Sequence, residues 1–227
     1  MKNISTLVCV FAIMLFLTAN KLYSQRIMGA LIGGVNASQV DGDEVFGYHK
    51  FGLNVGAAAI VPITGNWSVS IENVYSEKGS RQKARFIDSL DGSYDLKLNY
   101  LDVPFLIQYT DKNIATFGLG ASWGGLVKVW EQRNGITQTG TTLNSEIYRS
   151  SDINFLMDVK FRMVKRLYFN FRYAYSLRPI ASREVIDSKT GYPNIRDQYN
   201  GMFTFRLYYI FNEKLSERVT RGQPATK

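Results

Sequence analysis

Thiols are all but missing from this 227-residue chain. Its one cysteine, Cys9, sits inside an apolar N-terminal segment, so disulfides and cysteine metal centres are excluded from the rest of the chain. Histidine is equally scarce. His49 is the only one, and no motif ties it to Ser76 or Ser122, the serines that a nucleophile–base pair would need. After residue 24 no apolar run approaches the ~20 residues of a membrane-crossing helix. No proline-rich linker divides the chain. Gly33-Gly34 and Gly118-Leu119-Gly120 are followed by no helical pattern, so neither cradles a phosphate. Asp41-Gly42-Asp43-Glu44 lacks the further ligands of a calcium loop and reads as a turn. No catalytic residue, metal, cofactor or small-molecule substrate is predicted.

The N-terminus has the layout of a secretory signal peptide over residues 1–24. Lys2 supplies a positive start, Leu7 to Leu17 is apolar, and Thr18 to Ser24 is polar. The net charge is +8. Losing Lys2 and Lys21 with the signal leaves +6, spread along the chain and not gathered in a stripe, so nucleic acid is not the expected partner. Against these scarcities stand 14 Tyr and 14 Phe in a chain of slightly polar mean hydropathy.

Those aromatics fall into a pattern. In Leu167-Tyr168-Phe169-Asn170-Phe171-Arg172-Tyr173-Ala174-Tyr175-Ser176-Leu177-Arg178 the odd positions are large and apolar or aromatic, while the even ones include Asn170, Arg172, Ser176 and Arg178. A strand shows alternate residues to opposite faces, so this run has one greasy and one wet face. Seven other runs behave alike, at about 26–36, 50–61, from Trp67, up to Tyr109, 115–125, 153–163 and 202–211. Their connections alternate between short (62–66, 110–113, 164–166) and long (37–49, 79–99, 126–152, 179–201). Tyr94 to Tyr100 still alternates, so the fourth strand is expected to begin outside the membrane. The predicted fold is all-β, an eight-stranded antiparallel up-and-down transmembrane barrel over residues 25–212, followed by a polar tail at 213–227. Short turns face the periplasm in such barrels and long loops face outward. The expected location is therefore the cell outer membrane, with both termini periplasmic and outer-membrane lipid around the wall.

A barrel this narrow is filled by side chains. Its predicted lumen charges are Glu72, Asp102 and Asp158 against Lys160, Arg162, Arg172 and Arg206. Confined charges need partners, and the planar guanidinium suits bidentate carboxylate pairing, so a plugging ion-pair network is expected. Trp67, Tyr75, Tyr100, Tyr109, Trp123, Tyr173, Tyr175 and Tyr209, with Phe211 closing the last strand, read as interfacial aromatics. Lys214, Arg218 and Arg221 make the tail a candidate docking segment.

Several segments resemble the PorT-like outer-membrane β-barrels. They are Gly33-Gly34-Val35-Asn36-Ala37-Ser38, Gly47-Tyr48-His49-Lys50-Phe51-Gly52-Leu53-Asn54-Val55-Gly56, Tyr75-Ser76-Glu77-Lys78-Gly79-Ser80 and Asn99-Tyr100-Leu101-Asp102-Val103-Pro104. Phe117-Gly118-Leu119-Gly120 and Arg172-Tyr173-Ala174-Tyr175 match later strands. The resemblance spans about Arg26 to Phe211. It implies a non-enzymatic accessory subunit of an outer-membrane complex, in type IX-like protein secretion or in barrel assembly, with other outer-membrane or periplasmic subunits as partners. The alternative is a free-standing surface barrel whose outer loops bind ligands or cells; a lipid-modifying enzyme ranks below both. The tail departs from relatives that stop at the last strand's aromatic residue.

Overall fold

Alternation of polar and apolar residues is expressed as ten strands joined into one sheet. The computed structural model describes residues 27–43, 45–83, 92–112, 114–186 and 193–212. The strands are β1 (Met28–Asp41), β2 (Lys50–Thr64), β3 (Trp67–Gln82), β4 (Tyr94–Asp111), β5 (Ala115–Arg133), β6 (Ile136–Thr137), β7 (Ser151–Val164), β8 (Leu167–Ser176), β9 (Ala181–Ile186) and β10 (Pro193–Ile210). Every pairing is antiparallel. The order β1-β2-β3-β4-β5-β7-β8-β10 returns to β1 through pairs such as Val35–Phe205, so eight staves close a ring. The short strands β6 and β9 extend β5 and β10 beyond it. The predicted signal segment and tail, with Lys214, Arg218 and Arg221, lie outside the described residues.

Alternation also orients the staves. Leu31, Leu119, Trp123 and Phe105 point out of the barrel and are 52–58% exposed, whereas Asn36, Asn154, Asn170 and Arg206 point in and are at most 1% exposed. Apolar-out, polar-in is the inverse of a water-soluble protein and is what a lipid-facing wall requires. The interior also holds apolar clusters, one of them around Ile32, Ile60, Val74 and Tyr208 near the short-turn end. A narrow lumen packs as a core.

Four strands run well past the span that crosses a bilayer. β3, β4, β5 and β10 are 16, 18, 19 and 18 residues long, against the ~9–11 that cross a bilayer. At ~3.3 Å per residue and a tilt near 40°, 18 residues rise roughly 45 Å, well past an apolar band of ~25 Å. Much of the predicted long loops is therefore strand, forming a crown above the wall. The reason is a change of phase. In β4, Leu101, Val103, Phe105 and Ile107 face outward, but beyond Asn99 the inward residues Tyr94, Leu96 and Leu98 are the apolar ones, with Asp95 and Lys97 turned out. Apolar-in packing is the choice for a barrel segment surrounded by water. In β5 a bulge at the same level achieves the switch: Asn99 pairs with Lys128 and Tyr100 with Leu126, leaving Val127 without a partner.

Candidate functional site

Two carboxylates and two arginines fill the middle of the barrel. Glu72 of β3 accepts paired bonds from Arg172 of β8, Nη1 to Oε2 at 3.0 Å and Nη2 to Oε1 at 2.8 Å. It also accepts from Arg206 Nη1 at 3.1 Å and the Tyr208 hydroxyl at 2.6 Å. Asp158 of β7 accepts from Arg172 Nε at 2.8 Å, Arg206 Nη2 at 3.3 Å and Asn170 Nδ2 at 2.6 Å. Asn170 Oδ1 in turn accepts from Arg206 Nε at 2.8 Å. Two negative charges thus meet two positive ones in a bonded ring, and every member is buried. Lys160 joins by donating to Gln108 Oε1 at 3.0 Å and lying over the Tyr208 ring.

A second layer stands above this one. Lys78 is fully buried between Asp102 at 3.2 Å and Asp152 at 3.3 Å, and caps the ring of Tyr100. Asp152 is further held by Ser176 Oγ at 2.8 Å and Asn200 Nδ2 at 2.9 Å. Asp102 is therefore paired with a lysine, not a guanidinium. Beside this layer, Asn36 joins Ser76, Asn54 and Thr204.

The crown closes the long-loop end. Val40, Val45, Leu96, Leu98, Tyr148 and Ile180 form an apolar plug. On its rim Arg183 grips Glu131 with two bonds of 2.9 Å, while Tyr94 and Thr141 donate to the same carboxylate at 3.1 and 2.8 Å. Burial would raise the Glu131 carboxyl, but Arg183 overcomes it and holds the group down at about 2. Asp43 behaves in the opposite way. It accepts from Ser80 Oγ and from the Val45 amide, yet burial without a cation pushes it up to about 7. Burial likewise pushes the Tyr94 and Tyr148 phenols up. Outside the plug, a groove of about 560 Å³ runs between Glu146, Ile147 and Arg149 and the strand Ala181–Glu184. That strand, β9, ends the sheet, so its far edge carries no neighbouring strand among those described.

The structure thus brings Glu72, Asp158, Arg172 and Arg206 together, with Lys160 beside them and Asp102 one layer away. Arg162 is not among them. It sits half-buried at the short-turn mouth, donating to the Tyr168 hydroxyl at 3.1 Å, because it lies two residues nearer the turn than Lys160. Trp67, Tyr109, Trp123, Tyr209 and Phe211 face outward and are 37–56% exposed. Trp67 packs edge-on against Tyr109, and Tyr209 against Phe211. Tyr173 and Tyr175 also face outward, half-covered by Phe203 and Tyr199. Tyr100 does not belong with these aromatics: it is fully buried in the lumen, on the even-numbered face that the phase of β4 turns inward. His49 is exposed at the crown, while Ser76 is sealed inside with Asn36 and Asn54. No group of three or more metal-ligating side chains occurs among the described residues.

Lys78, Asp152, Glu131 and Arg183 were missed by pattern reading: the last three lie in the expected loops at 126–152 and 179–201, and Lys78 is the last residue before the expected loop at 79–99. A charged residue in continued alternation, as in Ser76-Glu77-Lys78, is the signal that could have found the first.

The family model described as outer membrane protein beta-barrel domain matches residues 28–182. The chain belongs to the outer membrane protein beta-barrel domain family. As a member, it is an outer-membrane barrel. Its fold is similar to that of solved barrels at low identity. The attachment invasion locus protein Ail of Yersinia pestis is 14% identical, with a TM-score of 0.46, 82% of this chain and 99% of that one being covered. Neisserial surface protein A is 12% identical with a TM-score of 0.43, covering 82% and 96%. A major outer membrane protein of Thermus thermophilus is 9% identical with a TM-score of 0.41, covering 82% and 99%. No curated protein sequence matches this barrel significantly.

Proposed function

We propose that this barrel is a non-enzymatic docking subunit of an outer-membrane protein complex, in type IX-like secretion or in barrel assembly as the PorT-like resemblance implies. The crown faces outward and both termini lie in the periplasm. The observation that carries the reading is the closed interior. The Glu72–Asp158–Arg172–Arg206 ring, the Lys78 layer and the apolar plug stack along the lumen, leaving surfaces as the means of action. The crown offers the groove beside β9, whose free edge suits an added strand from a partner protein. The tail, through Lys214, Arg218 and Arg221, is the periplasmic contact.

The test is a mild-detergent pull-down from native membranes through a tag in the β5–β6 hairpin, with and without residues 213–227. A stoichiometric set of secretion or assembly proteins supports the subunit reading, and its loss on truncation locates the dock. A lone barrel in both preparations sinks it.

A second reading, a free-standing surface barrel binding ligands or cells, is favoured by Phe46, Ile136 and Ile195. These crown residues are 64, 69 and 73% exposed, an unusual cost for a surface facing only water. Cell binding that disappears with Ile136→Ser and Ile195→Ser, in a barrel without partners, would select it.

A further inference from the structure

A groove of about 560 Å³ crosses the outer wall near the short-turn end. The register of the sheet cuts it. The outward row Trp67–Tyr109–Phe117–Val159 runs along one side, and the next outward row, Ile107–Leu119–Met157, along the other. Between the rows lies the inward pair Gly118–Asp158. Gly118 has no side chain and Asp158 turns its own into the charged ring, so the floor they give the groove is backbone. The groove follows the cross-strand direction over three spacings of ~4.8 Å, about 14 Å in all. It is long, narrow and walled by apolar and aromatic side chains.

Tilt decides which end is the mouth. Trp67 is the first residue of β3 and Tyr109 lies two before the end of β4, whereas Val159 lies five before the end of β7. In tilted strands a row perpendicular to them climbs as it crosses. The Trp67 end therefore opens at the membrane border, and the Val159 end lies deepest in the apolar band. At the mouth the chemistry changes. The Tyr109 hydroxyl accepts from Asn66 Nδ2 at 3.4 Å. Just beyond it the turn carries an exposed carboxylate and an exposed ammonium in adjacent positions, Asp111 and Lys112. The Ile114 amide closes that turn onto the Asp111 carbonyl at 2.9 Å, which holds both charges at the border.

We infer that this groove is a binding site for one phospholipid with an ethanolamine headgroup, its acyl chain laid between the two rows, its phosphate at Lys112 and its ammonium at Asp111. An outer-membrane barrel stands in lipid, so the surroundings supply the occupant. An acyl chain gains little by leaving a bilayer for an equally apolar groove. Fit therefore orders the chain, and the headgroup sets the choice. One cation beside one anion complements a zwitterion. A headgroup with a phosphate alone meets Asp111 as a like charge, and a trimethylammonium has no N–H to give that carboxylate. The assignment to a phospholipid leaflet rests on the orientation proposed above, with the short turns in the periplasm, and not on any protein partner.

The test places the barrel in nanodiscs holding equal amounts of phosphatidylethanolamine, phosphatidylglycerol and phosphatidylcholine, and reads the lipid it retains by native mass spectrometry. One phosphatidylethanolamine should stay bound, preferred roughly fivefold over each of the others, the scale that two exposed ion pairs give. Lys112→Gln should erase the preference, and Asp111→Asn should turn it toward phosphatidylglycerol. Lys165→Gln, on the neighbouring β7–β8 turn, should change nothing. Val159→Trp fills the deep end and should abolish retention of any lipid, while leaving the heat-dependent gel shift of the folded barrel unchanged. No retained lipid, equal retention of all three, undiminished retention in Val159→Trp, or the same loss from Lys165→Gln as from Lys112→Gln overturns the site. Orientation is read separately in intact cells with a membrane-impermeant maleimide and Cys9→Ser: Ile136→Cys in the crown should label and Lys112→Cys should not. Labelling of Lys112→Cys would sink the orientation whatever lipid is retained; an unlabelled Lys112→Cys without lipid preference sinks the site and leaves the orientation standing.

Discussion

Arg172 and Glu72 stand a hundred residues apart in the chain and meet side by side across the lumen, two N–H groups against two carboxylate oxygens at 3.0 and 2.8 Å. Both are buried, so the pair is strong only while it is complete. Removing one member leaves the other charged and dry, a loss of about 3–5 kcal/mol. Glu72→Ala should therefore destabilise the barrel by that amount, because Arg172 and Arg206 would then share Asp158 alone. Urea unfolding in lipid vesicles measures it. Glu72→Gln combined with Arg172→Gln should lose clearly less than the sum of the two single changes; additive losses would mean that the pair is not coupled.

Gly124 sets the second layer. A Cβ at this position would overlap Asp102 Oδ1, the carboxylate that faces Lys78. Gly124→Ala should displace Asp102 and leave the buried ammonium with Asp152 alone, costing roughly 2–3 kcal/mol. Gly125, whose substituent would meet only the Trp123 ring at 3.7 Å, is the control, and Gly125→Ala should cost little. Equal losses at both positions would show that backbone conformation, and not Asp102, is responsible.

The crown should respond to pH in two opposite ways. Asp43 titrates at about 7 in the folded protein instead of 3.8. A raised carboxyl favours the fold while protonated, so its contribution is fully present below about 3.8 and fades as pH rises to about 7. Glu131 is held at about 2 instead of 4.5. Its contribution is present above about 4.5 and lost as pH falls toward 2. Crown stability should therefore peak near pH 4–5. Hydrogen exchange at the Val45 amide, corrected for intrinsic rates, should be at least roughly tenfold faster at pH 8 than at pH 5. Asp43→Asn should flatten that difference while leaving the acid limb in place. A flat profile in the unmodified protein would contradict the account.

The membrane part of this barrel was legible because lipid imposes one rule on every stave: apolar out, polar in. Leu31, Leu119 and Phe205 announce that rule locally, and Glu72, Asp158, Arg172 and Arg206 follow as the other face. The crown was hidden because water reverses the rule. Leu96 and Leu98 belong to the same strand as Leu101 and Val103, yet lie on the opposite face, so alternation carried through without its phase ends the strand too soon or turns Tyr100 outward. Glu131 and Arg183 were lost for a related reason. They are 52 residues apart in segments that read as loop, and nothing local reports that the two will meet.

The bulge at Val127 is the device that reverses the rule in β5, and it gives a sharp prediction. Before it, the even residues Gly118, Ser122 and Gly124 face the lumen; after it, the odd residue Glu131 does. Deleting Val127 removes the extra residue and restores continuous pairing, and Glu131 stays opposite Leu96, facing Arg183, Tyr94 and Thr141. The wall below the bulge keeps its register with β4 and β7. The deletion should therefore leave a barrel that still shows a heat-dependent gel shift and a crown as protease-resistant at 126–150 as that of the parent. Glu131→Ala keeps the bulge but strips Arg183 of its carboxylate, and should be cut there many times faster. If the deletion is cut as fast as Glu131→Ala, the bulge itself, and not the facing of Glu131, holds the crown together.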